Sequence, residues 1–216
     1  MPPPPAGPSP ATRLLLVRHG QTVWHEGPRY AGSSDVGLTD LGRAQAQQLA
    51  AWAPSAGLDA IVSSQLTRAV ETARPAATAC GLDLRIDARL AEVGFGVAEG
   101  RTRADMEVDM PTELAAHLAD PMQRAFPGGE TGLEVVGRAA AAFRDVCATH
   151  PDGRVLVVGH SMTTRLVLCV LLGIDPATFR TVMPYLGNGT VTTLDLADDG
   201  TAALHGYNVP LGSLPS

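Results

Sequence analysis

Arg18, His19 and Gly20 close the apolar run "LLLV", and His160 closes a second run, "RVLVVG". Arg68 stands just beyond a third, "AIVSS", and two carboxylates, Glu92 and Glu99, sit in the glycine-rich stretch "RLAEVGFGVAEG". Arg18 and Arg68 each offer a planar fork that matches phosphate oxygens. With two imidazoles they make an anion cradle. Positive neighbours also lower the pKa of an imidazole, which keeps His19 neutral and nucleophilic. Gly20 is expected to let a phosphate approach the backbone closely. A leaving alkoxide needs a proton, and one of the two glutamates is the candidate donor. The chemistry these types suggest is phosphoryl transfer through histidine. Taken singly, each has a plainer reading: a core histidine, a surface carboxylate, or an Arg68 paired with Glu71 or Asp59.

Those groups must be delivered to one place by the chain's regular elements. Residues 13–17 read as a buried strand, and 38–53 as a helix capped by Thr39, with Leu41, Leu49 and Trp52 among its apolar positions. Residues 59–64 read as a second strand, 65–81 as a helix ended by Gly81, and "DLRIDARL" as holding a short third strand. Thr131 and Glu134 make a capping box for a helix over 131–150. A strand at 154–160, the helix behind it, and an alternating strand at 189–196 beside "TAALHGYN" complete the pattern. Such alternation predicts an α/β fold with a mainly parallel sheet covered on both faces, where ligands bind beyond the carboxyl ends of strands. Both histidines stand at such ends.

The proline-rich residues 1–12 are expected to be a disordered tail before one domain at 13–216. Residues 101–127 have weak periodicity and read as short helices and loops, a candidate lid. Together with 24–34 they are expected to set specificity, with Arg29, Arg101, Arg103 and Arg124 as candidates for a second anionic group.

A net charge of −6 argues against nucleic acid or anionic membrane as the main partner. The most apolar stretch, around 155–173, is interrupted by His160 and Arg165, so no membrane span is expected. Cys80, Cys147 and Cys169 lack metal or redox spacing and suggest a reducing, cytoplasmic setting. His25, His117, His150 and His205 have no ligand spacing, and no metal is expected.

In order along the chain, "LLLVRHGQT", "GLTDLGRAQAQQLA", "IVSSQLTRAVETA", "RLAEVGFGVAEG", "PGGET" and "VLVVGHSMTTRLVLCVLLG" resemble the histidine phosphatase superfamily, the phosphoglycerate-mutase-like proteins. The resemblance covers about residues 13 to 196. It implies a three-layer α/β/α sandwich and a phosphohistidine intermediate. By position it makes His19 the nucleophile, and Arg18, Arg68 and the catalytic His160 the phosphate pocket. Glu92 becomes the general acid and Glu99 a structural glutamate. His25 stands where the family often has an asparagine that touches phosphate, so it is a substitute phosphate-binding donor. Ala98 stands where a tryptophan is common, and Ser161 adds a hydroxyl beside His160. The stretch after Glu92 is "VGFG" rather than basic and tyrosine-containing, which favours a phosphomonoesterase over a cofactor-dependent mutase. A small phosphorylated substrate is the implied partner, with no cofactor. Monomer and homodimer both stay open.

Two rivals remain at this point. "VVGHSMT" is similar to a nucleophile elbow, which would make Ser161 the nucleophile of a serine hydrolase with His205 as its base. The other rival is a silent binding protein on the same fold.

Overall fold

The computed structural model describes residues 11–213. The expected tail thus lies mostly outside the described residues, and its end is corrected. Ala11 and Thr12 already belong to β1 (Ala11–Arg18), where Thr12 is buried and its hydroxyl donates to the His150 carbonyl at 2.9 Å.

In chain order there follow α1 (Asp40–Trp52), β2 (Ala60–Ser63), α2 (Thr67–Cys80) and β3 (Leu84–Ile86). Then come α3 (Arg103–Asp109), α4 (Pro111–Ala119), α5 (Gly132–Thr149), β4 (Arg154–Gly159) and α6 (Ser161–Leu171). A one-turn α7 (Phe179–Val182), β5 (Thr190–Ala197) and β6 (Ala202–Pro210) close the described chain. The capping signals act as read: Thr39 accepts from the Gly42 N–H, and Thr131 and Glu134 satisfy each other's backbone at the start of α5. Gly81 ends α2 at φ +67°, a conformation that suits glycine. Leu41 departs from its reading: it is 54% exposed, and α1 turns Ala46 and Leu49 inward instead.

The six strands form one sheet in the order β3-β2-β4-β1-β5-β6. The β1/β4, β2/β4 and β2/β3 pairs are parallel, while β5 and β6 join antiparallel at one edge. Successive side chains of a strand point to opposite faces, and each face has its own core. Leu14, Leu16, Val155 and Val157 meet Val135, Phe143 and Leu166 of α5 and α6. Leu15, Val17, Leu156 and Val158 meet Leu49, Ala69 and Ala73 of α1 and α2. The result is the expected α/β/α sandwich.

Residues 101–127 are tied down by Met106, Leu114, Met122 and Phe126, all buried in the α5/α6 core. Cys147 and Cys169 are buried, Cys80 partly so, and all three are unpaired. Among the described residues, no helix is long and apolar enough to cross a membrane.

Candidate active site

β1 and β4 run parallel and in register, Arg18 opposite Gly159, so both strands end at the same edge. That places His19 and His160 side by side, with ring centroids 5.1 Å apart. The backbone around His19 is held on every side. The His19 N–H donates to the Gly159 carbonyl, Asn188 Nδ2 donates to the His19 carbonyl at 2.8 Å, and the Gly20 N–H donates to Thr72 Oγ1 at 2.9 Å.

The His19 ring carries the decisive geometry. Nδ1 lies 2.7 Å from the Gly20 carbonyl, which can only accept, so Nδ1 holds the hydrogen. The lone pair is left on Nε2. The reason read for Gly20 is corrected, however. A Cβ there would meet the Gly42 carbonyl oxygen at 2.5 Å, and one on Gly42 would meet the Gln21 carbonyl at 2.0 Å. Two backbones touch here, and Gly20 admits the first turn of α1 rather than a ligand.

Arg18, His19, His25, Arg68 and Glu92 line one pocket of about 450 Å³. Arg18 donates to the Leu186 carbonyl at 2.6 Å and lies 2.6 Å from His25 Nε2. His25 is thus brought to the site, its ring 5.9 Å from that of His19, but it is engaged with Arg18 and Thr22. Arg68 is fully buried, so the surface pairing with Glu71 or Asp59 is excluded. Its two terminal nitrogens donate to the Ser34 and Gly32 carbonyls. Glu99 sets that loop in place, accepting from the backbone and hydroxyls of Ser33 and Ser34 and from the Phe95 N–H. The structural reading of Glu99 therefore has a concrete form.

Among the described residues, three buried side-chain nitrogens find no partner in the protein: Arg18 Nε, Arg68 Nε and His160 Nδ1. Buried polar atoms are usually paired, and unpaired ones at a site call for a ligand. The His160 ring lies against that of His19, Arg18 and Arg68 line the same pocket as His19, and the two guanidinium donors fit an oxyanion.

Glu92 reaches the start of α6. Its carboxylate accepts from the Met162 N–H at 3.0 Å, the Thr163 N–H at 2.9 Å and its neighbour Val93 at 3.1 Å. Burial by itself would favour the protonated form. The adjacent His160 and these N–H groups overcome it and hold the carboxyl down to about 2. In the free pocket Glu92 is an anion.

The histidines are shifted down. Burial is the main cause for each, reinforced by Arg68 beside His160 (about 3) and by Arg18 beside His25 (about 4). His19 falls well below its ordinary value through burial, His160 and the two arginines. Since their folded pKa values lie beneath the unfolded value of 6.5, the unfolded chain binds more protons in that window. Stability is therefore full above pH 6.5 and lost as pH falls towards 3. Calorimetry should show Tm lower by roughly 5–10 °C at pH 4.5 than at pH 7. His160→Gln should flatten that slope. A Tm constant across this range would contradict the buried neutral histidines.

The family model described as the histidine phosphatase superfamily, branch 1, matches residues 14–209. The chain belongs to the histidine phosphatase superfamily. Among its relatives, the protein named probable phosphoglycerate mutase GpmB of Proteus mirabilis (strain HI4320) is 35% identical over 162 residues, 75% of each chain. Phosphoserine phosphatase 1 of Hydrogenobacter thermophilus (strain DSM 6534 / IAM 12695 / TK-6) is 32% identical over 167 residues, 77% of this chain and 79% of that one. The structure of a mycobacterial glucosyl-3-phosphoglycerate phosphatase complexed with VO3 matches with a TM-score of 0.83 at 31% identity. That match covers 91% of this chain and 99% of the other.

In this histidine phosphatase the pocket wall differs from the sequence reading in two places. Trp24, His25 and Pro28 to Gly32 contribute as expected, but none of residues 101–127 lines the pocket. Arg101 pairs with Asp109 and Arg103 with Glu107. The far wall is built instead by Arg165, Phe179 and Arg180, which the sequence reading passed over as possible binding residues. Ser64, whose hydroxyl lies 2.6 Å from His160 Nε2, and the Leu186 carbonyl were also missed. The serine-hydrolase reading fails on topology. Ser161 lines the pocket, but His205 bonds to Asp195, which also pairs with Arg13. Arg13 lies well back from Arg18 along β1, about 16 Å away at the usual strand rise.

Proposed function

We propose that this chain hydrolyses a small phosphomonoester through a phosphohistidine intermediate on His19. The observation that carries the reading is the Nδ1–H bond to Gly20, which leaves Nε2 as the free nucleophile of a neutral imidazole. Arg18, Arg68 and His160 hold the phosphoryl oxygens, and the charge of the two guanidiniums stabilises the spreading negative charge of transfer. His25 orients Arg18 rather than replacing a phosphate contact. Glu92 sits at the pocket's edge as the proton carrier. Because its carboxylate is ionised before substrate binds, the proton enters with the substrate: a phosphomonoester's second pKa is about 6, and the monoanion brings one in. Glu92 then passes it to the leaving alkoxide, and afterwards takes one from the water that attacks phosphohistidine. The unpaired cysteines suit a reducing, cytoplasmic setting.

Similarity to the GpmB relative supports a second reading, phosphoryl return to the same substrate as in a mutase. Release of orthophosphate in step with loss of ester separates the two. Under hydrolysis, a denaturing alkaline quench during turnover should trap phosphate on His19 that acid then releases. Wild-type enzyme that turns over without ever labelling His19 would refute this mechanism.

The two arginines supply the positive charge that a metal ion supplies elsewhere. Dialysis against EDTA should leave the rate within about twofold, and vanadate should inhibit, in line with the VO3 complex of the mycobacterial relative. A rate lost to EDTA and restored by Mg²⁺ would contradict this.

A further inference from the structure

The pocket wall holds five arginines, Arg18, Arg29, Arg68, Arg165 and Arg180, and one carboxylate, Glu92. Four of the five have evident employment. Arg18 and Arg68 border His19. Arg29 donates to the Gly100 carbonyl and lies 3.9 Å from Asp105. Arg165 is occupied by the carbonyls of Ser161, Met183 and Pro184.

Arg180 is different. Among the described residues it has no carboxylate within salt-bridge distance and donates to no carbonyl. Its guanidinium carbon lies 4.7 Å from the centre of the Phe179 ring. Its one polar neighbour is His117 Nε2, 3.5 Å from Nη2. His117 Nδ1 lies 2.9 Å from the Arg124 carbonyl and must donate to it, so Nε2 is the acceptor that faces Arg180. The guanidinium is steered into the pocket by a ring and a buried imidazole, partly stripped of water, with most of its donors uncommitted.

The charges bound the ligand. A phosphate monoanion and the Glu92 carboxylate together balance Arg18 and Arg68, Arg29 faces Asp105, and Arg165 is taken up by carbonyls. One positive group still faces a ligand of that kind. We infer that Arg180 selects phosphomonoesters carrying a second anionic group, a carboxylate or a second phosphate, a few bonds from the ester oxygen. This rests on the phosphatase reading above.

The test compares kcat/KM for 3-phosphoglycerate, ethylene glycol bisphosphate and glycerol 3-phosphate, with p-nitrophenyl phosphate as a reference. Wild type should favour at least one of the first two over glycerol 3-phosphate by tenfold or more, mainly through KM. Which one is favoured identifies the second group. The preference should shrink as salt rises from 50 to 500 mM, a check that needs no variant. Arg180→Gln should lose about tenfold more on the favoured substrate than on glycerol 3-phosphate, and Arg180→Lys should recover part of that difference. Turnover of p-nitrophenyl phosphate without any preference among the alkyl phosphates overturns the Arg180 assignment alone, as does a preference that persists in Arg180→Gln. No turnover of any of the four overturns the phosphatase reading itself.

Discussion

Replacing His19 by alanine should remove at least roughly 10⁴-fold of the phosphatase rate, whatever the leaving group. In the proposed mechanism the atom that accepts the phosphoryl group is gone, and the unpaired His160 Nδ1 serves there as a donor to a phosphoryl oxygen rather than as a nucleophile. His160 Nε2 is committed to Ser64 at 2.6 Å, and His25 Nε2 to Arg18 at 2.6 Å. The loss should be chemical rather than structural. The backbone around position 19 is anchored through main-chain atoms, by Gly159, Asn188 and Thr72, so those bonds survive the substitution. Orthophosphate should accordingly still raise the melting temperature of His19→Ala, because Arg18 and Arg68 remain. Millimolar imidazole should restore a small part of the rate by occupying the emptied place. Activity within tenfold of wild type would sink the mechanism.

The second large effect is selective. Glu92→Gln should cost about 10²–10⁴ on alkyl phosphates, whose alkoxide leaves only with a proton. It should cost far less on p-nitrophenyl phosphate, whose nitrophenolate departs unaided. In that case dephosphorylation becomes slow, and single-turnover mixing should show a burst of nitrophenol with phosphoenzyme accumulating. With wild type, kcat/KM on alkyl phosphates should fall above pH 6, where the substrate loses the proton Glu92 must receive. The glutamine amide also turns an N–H towards the backbone donors of α6, so some loss of Tm is expected. The leaving-group ratio is therefore the readout. Glu99→Gln should lower both substrates together, since Glu99 acts on Arg68 through Ser33 and Ser34. Equal losses for Glu92→Gln, or a leaving-group-dependent loss in Glu99→Gln, would mean the two roles were assigned to the wrong carboxylates.

What could be read in the sequence, and what could not, divides along a physical line. Strand ends followed by Arg18-His19 and by His160 announced the site because buried apolar runs seldom stop on such groups. Arg68 was legible from its place in the first turn of a helix, and the glycines around Glu92 and Glu99 pointed to one carboxylate facing a pocket, which is Glu92. The partners that orient these side chains left no trace. The Leu186, Ser34 and Gly32 carbonyls that hold the arginines are main-chain groups, and any residue type supplies one. Arg180 was hidden for another reason: nothing near it in sequence reveals that α7 folds back over the pocket, so the irregular 101–127 segment drew attention instead. That segment works from behind, through His117 on α4. The misread purpose of Gly20 is of the same kind, since it depends on Gly42, a contact only the fold creates.

The position of β1 has a consequence for how the chain comes into being. Among the described residues it is the first strand, yet it sits inside the sheet, and its neighbours begin at Arg154 and end at Ala197. At a usual synthesis rate of about 5–20 residues per second, β1 leaves the ribosome roughly seven to thirty seconds before either partner exists. During that interval an extended "LLLV" with both edges unpaired is a template for pairing with other chains. The same separation means that His19 can meet His160 only after Arg154–Gly159 has been made. No shorter nascent chain can assemble the nucleophile's pocket, and refolding of the whole should be slow for its size, as is usual when pairing is distant in sequence.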